Sequence, residues 1–197
     1  MCVEPTSRDS PDASPEKCDA DLVRALQRGD PDAVRQLVEQ FQGVILALGI
    51  RMLGHRHDAE DVAQETILRA LRGIGGFDEE RPLRPWLLGI AANRCRTALG
   101  RRARRPIPVE SIGEQIDPRQ PPADTNDLAA ELERALDRLR PDYRVVFVLF
   151  HEQGLPYEEI SAAIDRPLGT VKTWLHRARI EIAEDLARRG FHTADRA

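Results

Sequence analysis

The chain has 197 residues, of which 31% are charged and 5% aromatic, and its net charge is −4. This composition argues against a β-sandwich, which would need more aromatic and β-branched residues, and favours a helical chain of one large or two small domains. No apolar stretch is long enough for a membrane span and residues 1–20 lack a signal segment, so we expect a cytoplasmic protein without membrane insertion.

The charge is unevenly distributed along the chain. Residues 94–109 contain six arginines and no acidic residue, and residues 166–180 contain four basic residues and no acidic one. Two basic islands in an otherwise acidic chain indicate two separate anion-binding faces. The three cysteines, Cys2, Cys18 and Cys95, have no CxxC spacing, which excludes a disulfide framework and argues against a structural zinc site. Cys95 lies in an apolar stretch and is interpreted as a buried side chain.

The first half of the chain begins with a polar segment and continues with helical patterns. Residues 1–19 are rich in Pro, Ser, Asp and Glu and are predicted to be a disordered tail. Helical signals then follow one another over residues 20–105. The first strong helix is predicted to start at Asp30, an N-cap followed by a proline, and to end at Gly54.

Two further helices are predicted before residue 105. Asp58 is expected to cap the first, which has its acidic residues early and its arginines late, as the helix dipole favours. A polar loop, Phe77–Arg84, separates it from a helix that is expected to open at Pro85. Residues 106–125 hold five prolines without sustained periodicity, which predicts a flexible linker.

The second half predicts a compact set of short helices over residues 126–187, followed by a tail at 188–197. The last two, Tyr157–Ile164 and Leu168–Asp185, are joined by a tight turn at 165–167. The second of these is basic, which is the pattern of a DNA-binding helix-turn-helix. Its predicted packing residues are Val171, Leu175, Ala178 and Ile182. The residues left largely off the packed face are Gly169, Thr170, Lys172, Thr173, His176, Arg177 and Arg179.

These segments resemble one known family. The stretch GLPYEEISAAIDRPLGTVKTWLHRARIEI (residues 154–182) resembles region 4 of bacterial sigma factors. DAEDVAQETILRAL (58–71) and RPWLLGIAANRCRTALGRRARR (84–105) resemble region 2 of the same family. The two-region layout, with no domain between them, is similar to the extracytoplasmic-function (ECF) group. The resemblance implies an all-α fold of two small helical domains, a region 2 bundle and a region 4 helix-turn-helix, joined by the flexible linker.

The resemblance also implies a function and its partners. Family members bind core RNA polymerase, open the minus-10 promoter element with region 2 and read the minus-35 element with region 4. They direct promoter recognition, promoter melting and transcription initiation, and they have no catalytic residue and no cofactor. Core RNA polymerase and promoter DNA are therefore the expected partners. An anti-sigma factor is a further partner that the family allows, and the sequence leaves its existence open.

The resemblance assigns residues to each role. The polymerase-binding residues are expected to be Asp58, Glu60, Asp61, Gln64 and Glu65. The minus-10 and melting residues are expected to be Phe77, Arg81, Arg84, Trp86, Asn93, Arg94, Arg96, Arg101, Arg102, Arg104 and Arg105. The minus-35 residues are expected to be Thr170, Lys172, Thr173, His176, Arg177 and Arg179. A flipped base needs stacking surface and cations, and Trp86 is equally compatible with stacking and with a core position.

Two positions of the chain depart from the pattern of the family. Family members often carry an acid at position 97 and a glycine at position 165, where this chain has Thr97 and Asp165. Asp tolerates the left-handed conformation, so the turn need not be lost.

One alternative function is that of a regulator that uses only the helix-turn-helix. Another is a metal-dependent hydrolase built on His55, His57 and Asp58, which lack a second ligand cluster.

The linker length limits how the two domains reach the promoter. The two elements lie about two turns of duplex apart, roughly 70 Å. As a flexible coil, residues 106–125 would span about 25 Å, and fully extended about 65–70 Å. We therefore expect the free protein to have no fixed arrangement of its domains on DNA unless something clamps them.

Overall fold

A computed structural model describes residues 15–104 and 126–191, with side chains for residues 19–102 and 128–191. Within these ranges all of the regular secondary structure is helical, as predicted. The elements in order are α1 (Pro15–Gln27), α2 (Pro31–Leu53), α3 (Arg56–Gly73), a 3₁₀ turn (Ile74–Gly76), α4 (Leu83–Arg104), α5 (Asn126–Arg138), α6 (Pro141–His151), α7 (Tyr157–Ile164) and α8 (Leu168–Arg188). The predicted linker, residues 106–125, lies outside the described residues.

Helix α2 shows how local sequence signals become structure. The Asp30 side chain accepts a hydrogen bond from the backbone N–H of Asp32 at 2.9 Å, and Pro31 is the first helical residue. At the other end Gly54 has a φ of 69°, and its N–H donates to the Ile50 carbonyl at 2.9 Å. Glycine adopts this left-handed conformation without strain, so both helix ends lie where the sequence predicts them.

The start of α1 differs from the sequence prediction. The predicted tail covers residues 1–19, but α1 begins at Pro15, so residues 15–19 are helical. Proline suits the first turn of a helix because its missing N–H would have no intrahelical acceptor there. The helix is held by Leu22, Val23 and Leu26, which are at most 5% exposed in the first hydrophobic core.

Two other helices begin earlier than predicted. The N-cap of α3 is His55, so Asp58 lies in the first turn instead of capping the helix. An acid in the first turn still faces the positive end of the helix dipole. Helix α4 begins at Leu83, and Pro85 therefore falls inside its first turn, where a backbone N–H would have no acceptor within the helix.

Helices α1–α4 form the first lobe, in which α2 is the central element. It packs against α1, α3 and α4. Its inward face is fully buried and follows the three- and four-residue spacing of the sequence, with the core residues Leu37, Phe41, Ile45, Leu48 and Met52. Where α2 crosses α3, a Cβ on Gly49 would lie only 3.0 Å from the Cβ of Ala59, so a glycine permits the close approach.

Helices α5–α8 form the second lobe and contain the predicted helix-turn-helix. Asp165 ends α7 with φ 52° and ψ 58°, the left-handed conformation that this residue type tolerates. The turn is closed by hydrogen bonds, since the Arg166 N–H donates to the Ser161 carbonyl at 3.1 Å and the Ser161 hydroxyl donates to the Arg166 carbonyl at 2.6 Å. The substitution of aspartate for the glycine common in the family therefore leaves the turn intact.

The two lobes pack against each other, which the sequence did not lead us to expect. Helix α7 lies on α4, and α6 contacts both α2 and α4. One continuous cluster of buried apolar side chains includes Leu87 of the first lobe and Leu149 and Ile160 of the second. A smaller cluster joins α5 to α8 through Leu136 and Ile182. The lobes therefore have a defined arrangement in this structure.

Candidate promoter and polymerase interfaces

Helix α8 has one buried and one exposed face. Its four predicted packing residues are buried, each 6% exposed or less. The opposite face carries the side chains Lys172, Thr173, His176, Arg177 and Arg179, all exposed, with Thr170 half-buried near the helix start. Because no acidic residue occurs before Glu181, this face is uniformly basic or neutral.

The contacts of α8 divide the exposed residues into two groups. The Lys172 ammonium lies 5.8 Å from the ring centre of Tyr157, and the Arg179 guanidinium lies 5.4 Å from that of Phe150. Arg179 also has its Nε 3.2 Å from Nε2 of His151, whose pKa is lowered by partial burial and by this cation. Cation–π contacts hold both side chains against their own lobe. His176 and Arg177 lie on the same exposed face without such a contact within the described residues.

The arginines of α4 occupy different environments. Arg101 and Arg102 are exposed, and Arg102 has a nitrogen 2.6 Å from Nε2 of His55. Arg94 instead forms an ion pair with Glu65 of α3, and Arg96 forms one with Asp142 of α6 at 2.6 Å. The side chain of Arg104 and the whole of Arg105 lie outside the described residues.

Asn93 is exposed and lies between the lobes. It borders a cavity of about 630 Å³ that is open to solvent and is also lined by Arg96, Arg101, Arg140 and Asp142. Its side-chain oxygen is 3.4 Å from Arg96. Its backbone carbonyl accepts a hydrogen bond at 2.8 Å from the hydroxyl of Thr97, the residue that replaces the acid common in the family.

The loop before α4 is fixed by aromatic packing and by α1. Phe77 is 8% exposed, and its ring centre lies 4.5 Å from that of the half-buried Trp86. In this arrangement the ring of Phe77 is a core element and presents little surface to a base, while Trp86 keeps one partly exposed side. Gln27 of α1 donates hydrogen bonds to the carbonyls of Ile74 and Phe77 at 3.0 and 2.9 Å. No pattern in the sequence predicts this tether, because Gln27 is far from the loop along the chain.

The cations of this loop also have different surroundings. Arg81 is exposed, whereas Arg84 donates to the backbone carbonyl of Gln153 at 2.9 Å and to its side-chain oxygen at 3.1 Å. Gln153 belongs to the second lobe. One of the two predicted loop cations is therefore held by the other half of the chain.

Helix α3 presents an acidic face. Asp58, Asp61 and Gln64 are exposed, and Glu60 forms an ion pair with Arg56 at 2.8 Å. Glu65 is bound by Arg69 at 2.9 Å and by Arg94, and these two cations lower its pKa. The next residue on this face is Leu68, which is 52% exposed. Its i+4 spacing from Gln64 could have pointed to it in the sequence.

The remaining candidate groups do not form a site in the described residues. No three His, Cys, Asp or Glu side chains within residues 15–104 and 126–191 are placed to hold a metal ion. His55 contacts Arg102, and the side chain of His57 is 93% exposed. Cys95 is fully buried, and burial raises the pKa of its thiol to about 12. No helix in the described parts of the chain is long and apolar enough to cross a membrane.

Comparison with protein families identifies the class. The family model "Sigma-70 region 2" matches residues 37–105, and "Sigma-70, region 4" matches residues 129–182. The chain is 31% identical over 180 residues to the RNA polymerase sigma-H factor of Pseudomonas aeruginosa, covering 85% of this chain and 93% of that protein. The chain therefore belongs to the ECF group of sigma-70 family RNA polymerase sigma factors, which direct RNA polymerase to promoters.

Two further relatives are similar over most of this chain. The ECF RNA polymerase sigma factor SigE of Mycolicibacterium smegmatis is 36% identical over 170 residues, which are 82% of this chain but only 65% of that protein. A structure of CnrH in complex with the cytosolic domain of CnrY has a TM-score of 0.64 at 27% identity. That match covers 86% of this chain and 97% of CnrH, so it includes both lobes.

Proposed function

We propose that this sigma factor divides its work among three helices. Helix α3 binds core polymerase, α4 and its preceding loop bind and open the minus-10 element, and α8 reads the minus-35 element. The observation that carries the proposal is the charge of the exposed faces. Helix α3 exposes acids, whereas α4 and α8 expose arginines, lysine and hydrogen-bonding side chains with almost no acids among them.

The polymerase contact is assigned to Asp58, Glu60, Asp61, Gln64 and Glu65, with Leu68 added from the structure. Asp61 and Gln64 are the clearest members, because both are exposed on the middle turns of α3. Glu65 belongs to this contact and also forms the ion pair with Arg94. It therefore links α3, the proposed polymerase-binding helix, to α4, the proposed minus-10 helix. Covering an exposed leucine removes its apolar surface from water, which would add to the binding free energy of this contact.

The minus-10 contact is assigned to α4 and its loop. Asn93 is the candidate for a base contact, because it is exposed and carries both a donor and an acceptor. Arg81, Arg101 and Arg102 supply phosphate contacts, and Arg84, Arg94 and Arg96 join them when their present partners release them. Trp86 offers the stacking surface for a flipped base. The ring of Phe77 packs against that of Trp86.

The minus-35 contact is assigned to the exposed face of α8. His176 and Arg177 are exposed on the middle turns of α8 and are the candidates for base edges in the major groove. Thr170, Lys172, Thr173 and Arg179 surround them and are assigned to phosphate contacts, since such contacts fix the position of the helix without reading sequence.

The chain is organised around these roles. Residues 20–105 bind polymerase and the minus-10 element, residues 126–187 bind the minus-35 element, and residues 106–125 link them. The protein acts in the cytoplasm, has no catalytic residue and needs no cofactor. CnrH, a similar chain, was solved in complex with the cytosolic domain of CnrY, so a regulatory protein is a further partner to test for, and an anti-sigma factor is the candidate that the family allows.

Run-off transcription with core polymerase tests the proposal. The chain should give transcripts only together with core polymerase, and permanganate reactivity of promoter thymines should show an open bubble in the same reactions. Asp61→Lys should abolish both signals, because it reverses an exposed charge on the α3 face. Glu39→Lys, an exposed position on α2, is the matched control and should behave like the parent. Sequence-specific duplex binding by the chain alone as a dimer would instead support a helix-turn-helix regulator.

A further inference from the structure

A row of ring-bearing side chains, Phe147, Phe150, His151 and Tyr157, lies at the end of α6 and the start of α7. The ring centre of His151 lies 4.5 Å from that of Phe147 and 5.0 Å from that of Phe150. Phe150 in turn stacks on Tyr157, with 4.9 Å between the ring centres. Because α8 packs against both α6 and α7, this ring row borders the helix that is assigned to the minus-35 element.

Arg179 of α8 makes two different contacts with the ring row. Its guanidinium carbon lies 5.4 Å from the ring centre of Phe150, a cation–π contact. Its Nε–H donates a hydrogen bond of 3.2 Å to Nε2 of His151. No hydrogen bond within the described residues uses the two Nη nitrogens of Arg179, and the residue is exposed. These two nitrogens are therefore available to a ligand.

The hydrogen bond requires a neutral His151 ring. A neutral imidazole has one nitrogen that donates and one that accepts, whereas both nitrogens of the charged ring are donors. Nε2 can therefore accept from Arg179 only when the ring carries its single proton on Nδ1. Partial burial and the charge of Arg179 lower the pKa of His151, against an opposing effect of Glu152. The ring is therefore neutral at neutral pH and can act as the acceptor.

Holding an arginine in place before it binds a ligand reduces the cost of binding. The rotamer freedom that a long side chain loses on binding weakens a complex by about 2- to 13-fold per side chain. Arg179 has lost part of this freedom already in the free protein, through its contacts with Phe150 and His151. Arg177, two positions earlier on α8, has no such contact within the described residues, so its side chain is ordered only on binding.

The held guanidinium suits a phosphate group. With its Nε–H bound to His151, Arg179 still offers the N–H groups of both Nη atoms, which can form two parallel hydrogen bonds to phosphate oxygens. Lys172, His176 and Arg179 follow one another at four- and three-residue spacing and so share one stripe of α8. Phosphate contacts fix the position and orientation of a protein on the duplex. A phosphate bound at Arg179 would therefore fix where this stripe lies in the groove.

We propose that His151 is a positioning residue of the minus-35 contact: it accepts the Nε–H of Arg179 and so directs the Nη groups toward a backbone phosphate of the promoter. His151 acts through Arg179 and does not itself contact DNA. The proposal rests on the proposed function, because it needs the assignment of Arg179 to a phosphate contact. If His151 only packed in the ring row, its substitution would have the same effect with and without Arg179.

Two substitutions at position 151 separate the acceptor from the ring. His151→Phe keeps an aromatic ring and, since the native ring is neutral, changes no charge, but it removes the acceptor. His151→Gln removes the ring but keeps a side-chain oxygen that can accept. The measurement is the affinity of holoenzyme, assembled from core RNA polymerase and the full chain, for a DNA fragment that supports run-off transcription.

We expect His151→Phe to raise the dissociation constant of this complex by about 2- to 13-fold, because Arg179 is then no longer held. His151→Gln should restore the affinity of the parent. His57→Phe is the matched control, because it makes the same substitution at a histidine whose side chain is 93% exposed, and it should bind like the parent.

Arg179→Ala supplies the background in which His151 should no longer matter. This variant should weaken binding and reduce the slope of log affinity against log salt concentration by about one, because one phosphate contact is lost. Adding His151→Phe to Arg179→Ala should weaken binding no further, since the effects of two residues that act through one contact are not additive.

The outcomes distinguish the proposal from the function on which it rests. Parental affinity of His151→Phe, a loss in His151→Gln as large as in His151→Phe, or an equal loss from His151→Phe with and without Arg179 would each overturn the positioning role. If Arg179→Ala keeps the parental affinity and salt slope, Arg179 is not a phosphate contact, and both that assignment and the role of His151 are wrong. If the parent gives no transcript with core polymerase, the proposed function itself is wrong, and the role of His151 with it.

Discussion

Leu68 allows a quantitative test of the polymerase face. Removing its side chain with Leu68→Ala should weaken core polymerase binding, because about half of this leucine is exposed in the free chain and would be covered in the complex. Complete burial of a leucine side chain contributes about 1.5–3 kcal/mol, so covering the exposed half contributes about 0.8–1.5 kcal/mol. The dissociation constant should therefore rise about 4- to 13-fold. Titration of fluorescently labelled chain with core polymerase measures this change.

The structure provides a matched control for this substitution. Leu128 on α5 is also 52% exposed but lies away from the acidic face of α3. Leu128→Ala should leave the affinity for core polymerase unchanged. The free energy of unfolding of both variants should lie within about 0.5 kcal/mol of that of the parent, since each replaces an exposed helical leucine by a good helix former. Equal affinities for the two variants would show that Leu68 lies outside the polymerase contact. A loss of helicity confined to Leu68→Ala would show that its role is structural.

Two further predictions concern α8 and the buried cysteine. Arg177→Ala should lower transcription from the cognate promoter by roughly 5- to 150-fold, because a bidentate base contact discriminates by about 1–3 kcal/mol. The control variant Arg35→Ala, on the exposed side of α2, should have no effect. Equal transcription by both variants would show that Arg177 does not contact a base. Since burial raises the pKa of Cys95 to about 12, from 9.0, its thiolate fraction at pH 8 should be about a thousandfold smaller than in the unfolded chain. Iodoacetamide labelling followed by peptide mass spectrometry should show Cys95 modified that much more slowly in the native protein than in denaturant, and comparable rates would contradict its burial.

Local signals in the sequence predicted the helices and their apolar faces. The N-cap Asp30, the stop at Gly54 and the left-handed Asp165 depend on residues within one helical turn, so the sequence is sufficient to place them. The buried face of α8 likewise follows from its three- and four-residue spacing. The early start of α1 was missed because the polar composition of residues 15–19 resembles a tail, although Pro15 is compatible with a first helical turn.

The functional surfaces were only partly predictable. The exposure of Lys172, His176 and Arg177 follows from helical phase, and the structure agrees with it. The resemblance assigned Phe77 to the minus-10 surface. Its ring is instead buried against Trp86, and its backbone carbonyl accepts a hydrogen bond from Gln27, a residue about 50 positions earlier. Leu68 was not among the predicted polymerase-binding residues, and the packing of α3 leaves it exposed.

What the sequence alone determined is therefore the set of helices, the family motifs and the sign of charge on each exposed face. Only the tertiary structure decided which of those charges are available. Arg94 and Arg96 stand two positions apart in one basic run, yet one is bound by α3 and the other by α6. The requirement for glycine at position 89 likewise arises from Ala163, which is 74 positions away. The periodicity of apolar residues predicts which side of a helix is buried. It does not predict which residues pack against that side, because they come from distant parts of the chain and are brought there by the tertiary packing.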